Sequence, residues 1–137
     1  MSIVVGYIPT PEGRAALRAS AEEAKLRGTR LVVVNSQPGG RQYDEHEARR
    51  FEDELATITR TLDQIGVESE VRTLVRGKDP SEDLLSIAAE CDARLIVIGL
   101  RRRSPVGKLI LGSNAQELLL KSTCPVLAVK ADATDRG

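Results

Sequence analysis

Two rhythms of apolar residues alternate along this chain. Short runs at residues 3–7, 31–35, 67–75, 95–98 and 126–129 have the length and β-branched content of strands; longer stretches between them repeat every three to four residues. The runs at 31–35, 95–98 and 126–129 are continuously apolar but for Asn35 at the end of the first, which predicts strands covered on both faces, as in a parallel sheet. The run at 67–75 alternates instead, with Val71, Thr73 and Val75 against Glu70, Arg72 and Leu74, and reads as an edge strand.

Four helices are predicted between the strands. The first spans Pro11–Arg27, with Thr10 as N-cap, Gly28 as the stop and Leu17, Ala21 and Ala24 facing inward. The second, at 44–65, carries the stripe Phe51, Leu55, Ile58, Leu62 and Ile65 and ends at Gly66. The third begins after Asp79-Pro80 and buries Leu84, Ala88 and Cys91. The fourth starts at Ser113 and buries Ala115, Leu118 and Leu119 before Cys124-Pro125 redirects the chain. This order predicts an α/β fold: a single doubly wound open sheet of five mostly parallel strands with helices on both faces, of Rossmann-like type, with residues 1–137 forming one domain. Ligands of such sheets sit at the carboxyl ends of the strands, here a crevice formed by the loops after strands one, two and four.

Composition narrows the function. Lys plus Arg equals Asp plus Glu at 20 each, so no net field draws the chain to nucleic acid or an anionic membrane. One Phe, two Tyr and no Trp are too few rings for a base-stacking platform. No run approaches the ~18 apolar residues of a membrane span, and the first residues lack a signal peptide's basic start, so a cytoplasmic protein is expected. Two cysteines and a single His46 provide neither a disulfide framework nor a zinc site. No carboxylate pair or nucleophile–base constellation stands out, so a turnover enzyme is not expected; ATP hydrolysis would need a metal and a water-positioning group.

Residues 99–113, GLRRRSPVGKLILGS, hold the candidate chemistry. A buried strand, a cationic loop and a Gly-Ser pair at a helix start together suit an anion, because the first amides of a helix lack intrahelical partners and carry partial positive charge. Lys108 is followed by Leu109 rather than Ser or Thr, and Gly99 and Gly107 are too far apart for a nucleotide-hydrolase phosphate loop. No G-x-G-x-x-G follows the first strand, and the acidic pair of a phospho-acceptor receiver domain is replaced by Tyr7-Ile8-Pro9.

The segment does resemble the signature of the universal stress protein family: glycine, two residues, glycine, nine residues, then glycine followed by Ser or Thr. Gly99, Gly112 and Ser113 fall on three of its positions. The resemblance extends along most of the chain, from Val4-Val5-Gly6 leading to Arg14-Ala15-Ala16-Leu17, to Cys124-Pro125-Val126-Leu127-Ala128-Val129 as the last strand. It implies a stress-response regulatory module that binds ATP or AMP, with Mg2+ only if ATP is bound. On this reading Gly112, Ser113 and Asn114 offer backbone donors to the phosphates, Gly99 permits close approach, Arg101, Arg103 and Lys108 add charge, and Pro9, Thr10 and Asn35 border the nucleoside. It also implies a homodimer through the last strand, at Val126, Leu127, Ala128 and Val129. Two positions depart from the family pattern. Arg102 stands where the signature has its second glycine, and Ile8 stands where the family has an acidic residue that contacts the adenosine part. These departures keep a second reading open: a member that has lost nucleotide and acts through protein association as a dimer.

Overall fold

A computed structural model describes residues 1–38, 45–76, 80–100 and 112–131. Strands and helices alternate: β1 (Ser2–Gly6), α1 (Pro11–Arg27), β2 (Arg30–Pro38), α2 (Glu45–Gln64), β3 (Ser69–Arg76), α3 (Pro80–Glu90), β4 (Ala93–Leu100), α4 (Ser113–Lys121) and β5 (Val126–Lys130). The strands form one parallel sheet in the order β3-β2-β1-β4-β5, so strand order reverses between β1 and β4. The alternating run does lie at an edge: β3 pairs only with β2 among the described residues.

The period-two geometry of the strands sorts their side chains into two cores. Ile3, Val5, Leu31, Val33, Leu95 and Val97 pack with Ala16, Ala21 and Ala24 of α1 and with Leu55 and Leu62 of α2. Val4, Val32, Val34, Ile96 and Ile98 pack on the other face with Leu84, Ile87, Ala88 and Cys91 of α3 and with Leu118 of α4. β1 is buried on both sides, as its continuous apolar run requires.

Helix ends follow their local chemistry. Thr10 caps α1, its Oγ1 accepting from the Gly13 amide at 3.1 Å. Gly28 turns left-handed at φ 62°, and the Thr29 amide donates back to the Ala24 carbonyl. At the end of α2 the predicted stripe stops one step early. Ile65 is 38% exposed because the helix ends at Gln64, and Gly66 at φ 83° swings Val67 into the core in its place. The Val67 amide closes this turn by donating to the Leu62 carbonyl. Leu119, expected to be buried, is 46% exposed; the short α4 packs inward through Leu118 and Ala115 only, and Leu119 lies about 100° round from Leu118. The side chain of Phe51 lies outside the described residues.

One buried polar contact joins α2 to the sheet. The Tyr7 hydroxyl, on a residue 1% exposed, donates to the Glu54 carboxylate. Burial, and then the neighbouring Glu54, push the Tyr7 phenol far above its ordinary value. A phenol raised in the folded state contributes stability that is complete below its unfolded value near pH 10 and is lost as pH climbs toward the folded value. Denaturation midpoints measured between pH 9 and 11.5 are therefore expected to fall more steeply for the wild type than for Tyr7→Phe. Parallel curves would contradict this.

Candidate functional site

In a parallel sheet every strand points its carboxyl end the same way, so every following helix begins on that side. The carboxyl ends of β1 and β4, the two strands at the reversal, open into a cavity of about 290 Å³. Its floor is Gly6, Tyr7, Ile98, Gly99 and Leu100. Its walls are the first turns of three helices: Glu12 and Gly13 of α1, Pro80, Ser81 and Leu84 of α3, and Ser113, Asn114 and Ala115 of α4, with Gly112 leading in. Ile8 completes the rim and is 41% exposed. Three helices begin around this cavity, and the first turn of a helix carries partial positive charge.

The walls from α1 and α4 differ in how their amides are used. Thr10 occupies one amide of α1 through its cap. At α4 the N-cap is Gly112 itself, in extended geometry (φ −69°, ψ 165°), with no side-chain cap hydrogen bond. Ser113 is therefore the first helical residue rather than the cap, and the earliest α4 bond is from the Gln116 amide to the Gly112 carbonyl at 3.0 Å. The amides of Ser113, Asn114 and Ala115 have no partner within the helix. A Cβ built on Gly112 would meet none of the described residues within 4 Å.

Gly99 and Gly13 serve a different purpose. A Cβ on Gly99 would lie 2.3 Å from the Glu12 carbonyl oxygen, and one on Gly13 would lie 1.9 Å from that of Ile8. These glycines let α1 press against the ends of β1 and β4. Gly99 lines the cavity as expected, but the backbone of α1 fills the side of it that a side chain would take.

The expected site residues therefore divide. Gly99, Gly112, Ser113 and Asn114 come together around the cavity. Pro9 and Thr10 lie in the β1–α1 connection and do not line it. Asn35 is 2% exposed and lies within β2, which runs on to Pro38, and strand alternation puts it on the α1–α2 face with Leu31 and Val33. It does not line the cavity, and its Nδ2 has no partner among the described residues. Arg101, Arg103 and Lys108, together with Arg102, lie outside the described residues, as do residues 39–44 of the loop after β2. The third wall comes instead from the start of α3, which the sequence did not single out.

One polar contact ties the walls together. The Ser81 Oγ of α3 donates to Glu117 Oε2 of α4 at 2.5 Å, and Lys121 Nζ donates to Glu117 Oε1 at 2.7 Å. Lys121 and then Ser81 hold the Glu117 carboxyl below the usual carboxylate range. Among the described residues no cluster of His, Cys, Asp and Glu could hold a metal ion. Nor is any described helix long and apolar enough to cross a membrane.

Comparison with known proteins gives the same picture from a separate direction. Residues 1–130 match the Universal stress protein family. A curated universal stress protein of Mycolicibacterium smegmatis is 48% identical over 128 residues, covering 93% of this chain and 96% of that protein. A solved universal stress protein from Archaeoglobus fulgidus is 41% identical with a TM-score of 0.79, covering 95% of this chain and 98% of that one. The structure of the universal stress protein from Archaeoglobus fulgidus in complex with dAMP is 36% identical with a TM-score of 0.74 at the same coverage. With its sheet order, its cavity at the β1–β4 reversal and a match over nearly its whole length, the chain belongs to the universal stress protein family.

Proposed function

We propose that the cavity binds an adenine nucleotide, ATP or AMP, and that the protein is a cytoplasmic regulatory module rather than a metabolic enzyme. The observation that carries this reading is the uncapped start of α4. Gly112, Ser113 and Asn114 border the cavity, three amides there have no helical partner, and among the described residues none would meet a Gly112 side chain. A phosphate monoester or polyphosphate satisfies those amides and the helix dipole together. Arg101, Arg103 and Lys108 follow β4 in sequence and are the cations proposed to complete the phosphate site, with Mg2+ entering only alongside ATP. The related protein in complex with dAMP supports an adenine base as the remainder of the ligand. Pro9, Thr10 and Asn35 are not in the cavity lining, so the nucleoside end is proposed to rest on Ile8 and the apolar floor. Isothermal titration with ATP, ADP and AMP is expected to give saturable heat with 1:1 stoichiometry; no heat at millimolar nucleotide would refute the reading.

A second reading, action through association as a dimer, has its own observation. β5 pairs only with β4 among the described residues, and Leu127 on it is 37% exposed. β3, at the opposite edge, carries Arg72 in ion pairs with Glu70 and Glu90. Charge of that kind discourages strand pairing, whereas the Val126–Lys130 edge is apolar enough to pair with a second copy. Sedimentation is expected to show a dimer that Leu127→Lys converts to monomer, while a monomeric wild type would count against pairing at this edge.

A further inference from the structure

We propose that Ser81 is a positioning residue: by donating to Glu117 of the neighbouring helix it fixes the amide end of α4 and so sets the affinity for the nucleotide. The proposal rests on the nucleotide reading above. α4 is nine residues long, too short to hold itself as an isolated helix, and it lacks a side-chain cap. Its contact with the core is narrow. Leu118 is its buried residue, Ala115 adds to it, and Leu119 and Leu120 are 46% and 85% exposed. Something else must keep its first turn in place for the Ser113 and Asn114 amides to meet a phosphate in a fixed geometry.

The Ser81–Glu117 bond is placed to do this. Ser81 is the second residue of α3 and is fully buried, so its hydroxyl is anchored by the better-packed of the two helices. A serine in a first helical turn ordinarily serves its own helix's amides; this one donates to the neighbouring helix at 2.5 Å. Glu117 is one turn inside α4, next to the first bonded turn that begins at Gln116. Lys121, also on α4, holds the other carboxylate oxygen and so fixes the acceptor. A hydrogen bond to an ionised group is among the stronger ones, and preorganised amides bind an anion more tightly than amides that must first be ordered.

The test uses the full chain with Ser81→Ala, Glu117→Ala and the double variant. Deuterium exchange of the Gln116 to Ser122 amides, without ligand, is expected to quicken about tenfold in each single variant, with β1 and β4 unchanged. AMP affinity is expected to fall about tenfold, and the double variant to be no worse than either single one. A purely structural role would instead quicken exchange throughout the fold, and that result would overturn the proposal. Unaltered α4 exchange, or quickened α4 exchange with unaltered AMP affinity, would do so as well. If the unsubstituted protein binds no AMP, the nucleotide reading falls and takes the affinity claim with it. The exchange data then still decide whether this bond holds α4.

Discussion

Replacing Gly112 with aspartate is expected to stabilise the protein and at the same time to abolish most of its nucleotide binding. The two effects have one origin. Gly112 already has the extended geometry of an N-cap, φ −69° and ψ 165°, which an L-residue adopts without strain, and its Cβ would meet none of the described residues. An Asp carboxylate there accepts from the α4 amides that have no partner within the helix and complements the helix dipole, a gain of about 0.5–1 kcal/mol. The same carboxylate occupies the amides proposed for phosphate. At ~5 Å and an effective dielectric of ~20 it repels each phosphate charge by about 3 kcal/mol, roughly a hundredfold in affinity. Urea denaturation and calorimetric titration read the two halves separately. Higher stability with undiminished affinity would mean that the nucleotide sits elsewhere.

Gly13→Ala is expected to be the most damaging glycine-to-alanine change among the described residues. Helix propensity alone predicts a gain of up to about 1 kcal/mol for Gly→Ala inside a helix. Here the added carbon would lie 1.9 Å from the Ile8 carbonyl oxygen, and that oxygen is held in place because it accepts from the Thr10 amide at 2.8 Å. Backbone atoms cannot step aside as a flexible side chain does. α1 must lift from the end of β1, at a cost of about 3 kcal/mol, which outweighs the propensity gain. The expected result is a lower denaturation midpoint for the variant. An unchanged or raised midpoint would show that α1 does not sit as tightly on β1 as described.

These two glycines mark the boundary of what the sequence discloses. Sheet, helix order and edge assignment were legible because a strand buried on both faces must be apolar throughout and an edge strand need not be. The run at 95–98 and the alternation at 67–75 carry that information locally. Gly112 was legible as well, since glycine before a helix start is a local signal. Gly13 was not: inside a helical pattern it reads as a mild defect, and its reason lies in the carbonyl of Ile8, which comes near only when α1 folds back on β1. Gly99 was singled out for closeness to a phosphate, whereas its near neighbour is the Glu12 backbone.

Ser81 escaped for the opposite reason. A serine at a helix start has so ready a local explanation that its partner 36 positions away left no trace. Asn35, expected to close the second strand, lies inside β2, and its parity along the strand puts it on the face with Leu31 and Val33, because one step along a strand reverses the side. The exposure of Ile65 and Leu119 follows from the same limit. A periodic stripe says which residues share a face, but the last turn of α2 and the narrow seat of α4 determine how far along that face the core reaches.

The central claim, that the amide end of α4 holds the phosphate of an adenine nucleotide, is tested most directly by following backbone amide resonances while AMP is added. The Ser113, Asn114 and Ala115 amides are expected to shift most, downfield and saturably, with Gly99 and Gly112 moving beside them. Saturable shifts elsewhere with these three amides unmoved, or no shift at millimolar AMP, would contradict the account.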